Sequence, residues 1–353
     1  MAKSRIEWTN EVWNPVVGCT RASEGCDHCY AVRMSHRLEN MGQKKYEGLT
    51  SVNQRGDRHF NGVVRCVEED LLIPLRWKKP RRCFVNSMAD LFHRDVPFDF
   101  IDKVFAVMAL CPQHIFQILT KRADRMEEWF REKGRIDPPQ EDGNPFFETR
   151  HHVIGAMRLL GERNPAILDI LKSLDGKYMA WPLPNVWIGT STENQEQADN
   201  RIPHLLRCPA VVRFLSCEPL LGEIDLRKFL FSCCDACDGA GGYYPEWDPE
   251  GEEDCSRCDG SGVNENFPLE DLHWVIAGGE SGPGARPCTI GHIRRIVQEC
   301  STAEVPVFVK QIGDKPVNRE GEAHPAKATK GGDPAEWPED IRVQLYPEVT
   351  THA

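Results

Sequence analysis

Along the chain, short runs of β-branched and aromatic residues recur, each ending in polar or glycine residues and most followed by an amphipathic stretch. Six stand out: "RCFVNSMADLFH" (82–93), "HIFQILTKRADRM" (114–126), "NVWIGTSTENQEQ" (185–197), "VVRFLSCEPLLG" (211–222), "HWVIAGGESGPG" (273–284) and "VPVFVKQIG" (305–313). Between the first two, "FDFIDKVFAVMALC" (98–111) repeats apolar residues at spacings of three and four, which predicts a helix, and "DRMEEWFREKG" predicts another after the second. Strands alternating with helices predict βαβ units and a mainly parallel sheet. With a cysteine-bearing segment placed before the series there are six or seven strands, so the expected fold is α/β, a full or partial (β/α) barrel.

Two stretches break the repeat. Residues 133–184 contain "GRIDPPQEDGNP" and then a helical pattern, a helical insertion after the third unit, and residues 231–268 are a cysteine-rich insertion after the fifth. The barrel is thus expected over 1–230 and 269–320. The tail, 321–353, is rich in Pro, Gly and charge, yet "WPEDIRVQLYP" (337–347) keeps enough apolar residues to pack on the body.

Composition adds a setting. The 353 residues are 40% hydrophobic and 27% charged, ordinary for a globular chain able to bury a core. No apolar run is long enough to span a bilayer and no basic, apolar leader opens the chain, so a cytoplasmic protein is expected. In a reducing compartment fifteen cysteines are not disulfides, and their clustering at 19/26/29 and 233/234/237/255/258 points to metal. The net charge of −11 argues against indiscriminate coating of nucleic acid and leaves room for a local basic patch.

In (β/α) barrels chemistry gathers at the C-terminal ends of the strands. That rule selects Asn86, Ser87 and Asp90; Thr120, Lys121 and Arg122; Thr190, Ser191, Glu193 and Asn194; Ser216 and Glu218; Gly278, Gly279, Glu280 and Ser281; and Lys310 and Gln311. Ser191 and Thr192 also precede a helix and suit its cap.

Ahead of the series, "NPVVGCTRASEGCDHCYAVR" (14–33) carries Cys19, Cys26 and Cys29. Three thiolates on one loop suit a [4Fe–4S] cluster that leaves one iron open to a small molecule. A structural zinc completed by His28 or a distant cysteine is the alternative. In the second group, "CDACDGAG" (234–241) and "CSRCDGSG" (255–262) are two knuckles seventeen residues apart, and Cys234, Cys237, Cys255 and Cys258 make a closed all-thiolate zinc site. An auxiliary iron–sulfur cluster is the other reading there. The knuckles resemble those of the DnaJ-type zinc domain, of which this chain has half the number.

For a substrate, "LRWKKPRRC" (75–83) sets Arg76, Lys78, Lys79, Arg81 and Arg82 around Trp77, and Lys121 and Arg122 sit at a predicted strand end. Such a mix suits phosphate and base contacts, which makes DNA, RNA or a nucleotide the candidate partner. "QRGDRHFNG" (54–62) is also basic and is expected to order on binding.

The cysteine loop and the barrel together resemble the radical SAM superfamily, although the spacing here is C-x6-C-x2-C where the superfamily usually has three residues in the first gap. The resemblance implies a [4Fe–4S] cluster at 19–29 whose open iron is chelated by S-adenosylmethionine, and an external electron donor. It also implies cleavage of the sulfonium to a 5′-deoxyadenosyl radical, with His28 where the superfamily carries a ring beside the adenine. It further suggests Asn86, Ser87 and Asp90, or the displaced Gly278-Gly279-Glu280, for the methionine amine, and Thr190, Ser191 and Glu193 for ribose or carboxylate. Cys217 and Tyr30 are then candidates to handle the substrate radical. The ordered set "IEWTNEVWNPVVGC", "FVNSMADLFH", "ILTKR", "WIGTSTEN", "SCEPLLG", "WVIAGGESG" and "FVKQ" is similar to a phage and bacterial family of unknown function. The loop and short barrel bear a more distant likeness to spore photoproduct lyases, which act on thymine in DNA. The expected function is therefore a radical SAM enzyme acting on a nucleic-acid base or nucleotide. The rival is a non-catalytic zinc-binding module for nucleic acid or protein.

Overall fold

The computed structural model describes residues 6–133, 147–173, 180–230, 242–243, 253–254, 272–318, 321–325 and 329–348. The chain divides into two compact units, one formed by residues 1–191, 208–212 and 349–353 and the other by 192–207 and 213–348.

In the first unit four parallel strands follow one another in chain order: Glu11–Trp13 (β1), Arg82–Val85 (β2), Ile115–Thr120 (β3) and Val186–Ser191 (β4). Their register places Trp13 opposite Val85, Val85 opposite Ile118, and Thr120 opposite Thr190. All six residues of β4 are buried, as the continuous apolar run of a covered parallel strand requires. The helices Tyr30–Asn40 (α1), Phe98–Ala109 (α2) and Ala123–Lys133 (α3) alternate with the strands, and Phe147–Arg163 (α4) and Pro165–Ser173 (α5) fill the stretch expected to be helical. The spacing read in 98–111 becomes the buried stripe Ile101, Val104, Phe105 and Met108 of α2. Phe105 meets Trp129 of α3 with ring centroids 4.3 Å apart, while Trp129 Nε1 donates to Asp102 at 3.0 Å, so the indole gains packing without orphaning its N–H.

The second unit holds Val212–Cys217 (β5, whose first residue belongs to the first unit), Trp274–Gly278 (β6) and Val307–Gln311 (β7), parallel and in chain order. Gln195–Leu206 (α6) and Ile290–Thr302 (α7) are its main helices, and α7 buries Ile293, Ile296, Val297 and Cys300 at helical spacing. Parallel strands in chain order within each unit, four in the first and three in the second, are the arrangement of a (β/α) barrel segment, not of a doubly wound sheet, whose order reverses at a switch point. Beside β7 the tail runs antiparallel: Val309 N–H donates to Val343 at 2.8 Å and Leu345 N–H to Val307 at 2.8 Å, with Trp337 and Ile341 buried.

One local expectation changes, and two further segments gain local detail. The cap of α6 is Asn194, whose Oδ1 accepts the Gln197 N–H at 3.0 Å, not Ser191 or Thr192; the helix starts later than the polar run suggested, and the Thr192 hydroxyl instead meets the Cys217 sulfur at 3.2 Å. Within the basic segment 54–62, Arg58–Phe60 pairs antiparallel with Thr50–Val52. Between the knuckles, Gly242–Tyr243 pairs antiparallel with Glu253–Asp254, while Cys234, Cys237, Cys255 and Cys258 lie outside the described residues. Among the described residues no helix is long and apolar enough to cross a membrane.

Candidate functional site

The cysteine loop starts where β1 ends, and its geometry is set by the first glycine of "GC". Gly18 has φ +86°, and a Cβ there would run into the carbonyl of Val63, so only glycine fits. Its N–H donates to Met88 at 3.3 Å, and Asn14 Oδ1 accepts the Met88 N–H at 3.0 Å and the Ser87 hydroxyl at 3.2 Å. The segment after β2 is thereby laid along the loop. Asn86 makes that turn with φ +59°, donating its N–H to Trp13 at 2.8 Å and accepting from Val16 at 3.1 Å. The Tyr30 hydroxyl closes the far side onto the Ser87 carbonyl at 2.7 Å, although the ring is 48% exposed.

Cys19, Cys26 and Cys29 are all half-buried and free. Cys19 follows Gly18; Cys26 ends a single 3-10 turn and accepts the Ala22 N–H at 3.5 Å; Cys29 is the residue before α1. Burial pushes the Cys19 thiol up to about 12, Asp90 adds to the rise, and the Arg122 guanidinium works against it. Burial likewise raises Cys29, opposed by the N–H groups of Ala31 and Val32 in the first turn of α1. Each of these two thiols is also raised by Cys26, so the sulfurs sense one another. His28 lies exposed between the last two cysteines. Among the described residues no group of three or more His, Cys, Asp or Glu side chains stands arranged as a metal cage. Three soft sulfurs, with a guanidinium on one and helix N–H groups on another that both favour thiolate, are a donor set that could ligate an iron–sulfur cluster.

Behind the loop lies a polar network that ends β2 and β3. Asp90, buried, accepts from the Thr120 hydroxyl at 2.7 Å, from the N–H groups of Phe92 at 3.0 Å and Lys121 at 3.1 Å, and from Arg122 Nη1 at 2.8 Å. Arg122 Nη1 is also 3.8 Å from the Cys19 sulfur, and Nη2 donates to the carbonyl and hydroxyl of Thr20, both at 3.0 Å. Burial works against the charge of Arg122, but Asp90 and Cys19 outweigh it and raise its pKa. His93, fully buried, has Nε2 2.8 Å from the Thr20 hydroxyl. Its Nδ1 accepts the Asp95 N–H at 3.2 Å, so the proton sits on Nε2 and points at Thr20. Burial and then Arg122 hold this imidazole below its usual range.

Arg122 thus meets the cysteine loop, held there by Asp90, which also takes the Lys121 N–H, with Asn86 and Ser87 beside it. Thr20, His93 and Asn14 were not foreseen as site residues. A single cue existed, the Asp-x-x-His spacing of Asp90 and His93, and nothing in one sequence separates that from chance.

The other candidates have different surroundings. Thr190 is buried and donates to the Thr120 carbonyl at 2.9 Å, and Ser191 ends β4 buried. In the second unit Glu193 is fully buried against Arg201 at 2.9 Å. Glu280 is clasped by Arg286 through Nε at 3.0 Å and Nη2 at 2.7 Å, and accepts its N–H at 2.8 Å. Gly278 and Gly279 pack on the end of β7, where a Cβ on Gly279 would strike the Ile312 carbonyl. Cys217 is fully buried, and burial takes its thiol up to about 12.

The basic stretch 76–82 leads into the N-terminal end of β2, the opposite end of the strand from Asp90 and from Arg122 at the end of β3. Trp77 is 5% exposed, edge-on to His114 at 5.4 Å, with the Arg81 guanidinium 5.2 Å from its ring, so it is a core residue rather than an open stacking platform. Arg81 pairs with Glu11, and Arg82 opens β2 half-buried, which leaves Arg76, Lys78 and Lys79 exposed.

The profile of a family described as a protein of unknown function (DUF5131) matches residues 3–338. No curated protein and no solved structure matches the chain.

Proposed function

The chain belongs to the DUF5131 family of proteins of unknown function, and we propose that it is a radical SAM enzyme whose cluster is held by Cys19, Cys26 and Cys29. The observation that supports the reading is that three half-buried cysteines of one loop raise one another's pKa, with the Arg122 guanidinium 3.8 Å from the Cys19 sulfur and helix N–H groups at Cys29, beside the C-terminal ends of parallel strands. A (β/α) scaffold places reactive groups at that end, and an odd number of thiols leaves a [4Fe–4S] cluster one position for a small-molecule ligand. When bound, the cluster supplies the electron that cleaves the sulfonium of S-adenosylmethionine to a 5′-deoxyadenosyl radical.

The chain's own residues have definable tasks in this account. Gly18 and Asn86 shape the loop, Arg122 and the first turn of α1 stabilise the thiolates, and the Asp90 network fixes Arg122 in turn. Asn86 Nδ2, buried with no partner among the described residues, offers a donor beside the loop. His28 and Tyr30, both exposed next to the last cysteine, can cover a planar ring.

A nucleic-acid base or nucleotide is the substrate class that fits the cationic end of β3 at Lys121 and Arg122. The exposed Arg76, Lys78 and Lys79, at the other end of β2, suit phosphate contacts remote from the chemistry. A zinc in the second cysteine group would hold that insertion together.

The test is anaerobic incubation of cluster-loaded protein with S-adenosylmethionine and dithionite. The reading requires 5′-deoxyadenosine, lost in Cys26→Ala. Cluster-loaded wild-type protein that binds S-adenosylmethionine yet releases none would overturn it.

A further inference from the structure

We infer that Arg122 is a positioning residue that sets the reduction potential of the centre at Cys19, with Asp90 opposing it; this rests on the cluster reading above. The guanidinium spends one edge on two anionic or electron-rich groups, Asp90 Oδ2 at 2.8 Å and the Cys19 sulfur at 3.8 Å, and its second nitrogen on the carbonyl and hydroxyl of Thr20. It therefore touches two successive residues of the loop from a position 103 residues along the chain. Its own backbone is held as well, because the Arg122 N–H donates to the Thr120 hydroxyl at 2.9 Å, and that hydroxyl donates to Asp90. His93 meets the Thr20 hydroxyl from behind at 2.8 Å, and among the described residues Arg122 and Asp90 are the charged groups of this network that act on Cys19.

Reduction adds one negative charge to an iron–sulfur centre, and its potential follows net charge and the hydrogen bonds to its sulfurs. A guanidinium near a ligand sulfur stabilises the reduced form and raises the potential; a carboxylate behind it offsets part of that gain. Removing the two charges must therefore move the potential in opposite directions. Mere damage to the loop would move both variants the same way.

The experiment is a redox titration of the reconstituted protein followed by electron paramagnetic resonance, on wild type, Arg122→Gln, Arg122→Lys and Asp90→Asn, with iron counted in each. Arg122→Gln should lower the ratio of reduced to oxidised centre about tenfold at the wild-type midpoint, which is ~59 mV for one electron. Arg122→Lys, which keeps the charge but loses the fork to Thr20, should shift the same way by less. Asp90→Asn should shift the other way. If Arg122→Gln fails to fold, the opposite signs of Arg122→Lys and Asp90→Asn still decide. Unchanged potentials, or shifts of one sign in all variants, would overturn the inference. A wild-type protein that takes up no iron would overturn the cluster reading, and this inference with it.

Discussion

Removing the Asp90 carboxylate tests the buried network directly, because four donors converge on it. Asp90→Ala deprives Arg122, Thr120 and the N–H groups of Phe92 and Lys121 of their acceptor. The side chains of Asp90 and Arg122 are only 7% and 15% exposed, so the loss is that of a largely buried pair, for which about 3–5 kcal/mol is typical. Arg122 keeps its two bonds to Thr20 and some access to water, which puts the expected cost near the lower end, about 3 kcal/mol. At roughly 2–4 °C per kcal/mol for a unit of this size, Tm should fall by about 6–12 °C. Arg122→Met should cost less than Asp90→Ala, since the remaining carboxylate keeps three donors. The double variant should then be more stable than the sum of the single losses predicts, by about 1–2 kcal/mol. Urea unfolding followed by circular dichroism gives all four corners of the cycle. A cost below about 1 kcal/mol for Asp90→Ala, or additivity within about 0.5 kcal/mol, would refute the network as the element that braces the loop.

Gly18→Ala should cost about 2–4 kcal/mol, the sum of a left-handed backbone and a clash with the Val63 carbonyl, measured by the same unfolding assay; a neutral result would contradict the loop geometry. Cys217, fully buried with its thiol pushed up to about 12, should resist iodoacetamide at pH 8 in the folded protein and react once urea is added, as mass spectrometry of the peptide would report. Asp225 is held at about 2, below its usual 3.8, mainly by its hydrogen bond to Arg227. A depressed carboxylate stabilises the folded state above its unfolded pKa, and that contribution is lost as pH falls from about 4 through 2. Asp225→Asn should therefore flatten the acid side of the stability curve in that window and leave stability well below pH 2 unchanged, in thermal melts at each pH.

The α/β class and the parallel strands were legible because their signals are local. β-branched runs such as "IFQILT" and "VWIGTS" have the composition of covered strands, and the three-four spacing of 98–111 leaves few alternatives to a helix. The site was legible only in part. Strand ends point to Asp90, Lys121 and Arg122 without alignment because a (β/α) scaffold collects such residues at one edge. Thr20 and His93 carry no such mark, since their importance arises from a contact across 73 residues. In the basic stretch, composition reports charge alone, and it takes the structure to bury Trp77, pair Arg81 with Glu11, and set the remaining cations at the far end of β2. For Gly278-Gly279-Glu280 the structure adds that the glycines make room for β7 and that the carboxylate meets Arg286.

The most direct measurement of the central claim is the metal content of protein purified without oxygen, for wild type and for Cys19→Ala, Cys26→Ala and Cys29→Ala. The account predicts about four iron and four acid-labile sulfide per wild-type chain, lost from each single variant while the far-ultraviolet circular dichroism is retained. Wild-type protein that holds zinc alone, or iron that stays after any of the three cysteines is removed, would contradict it.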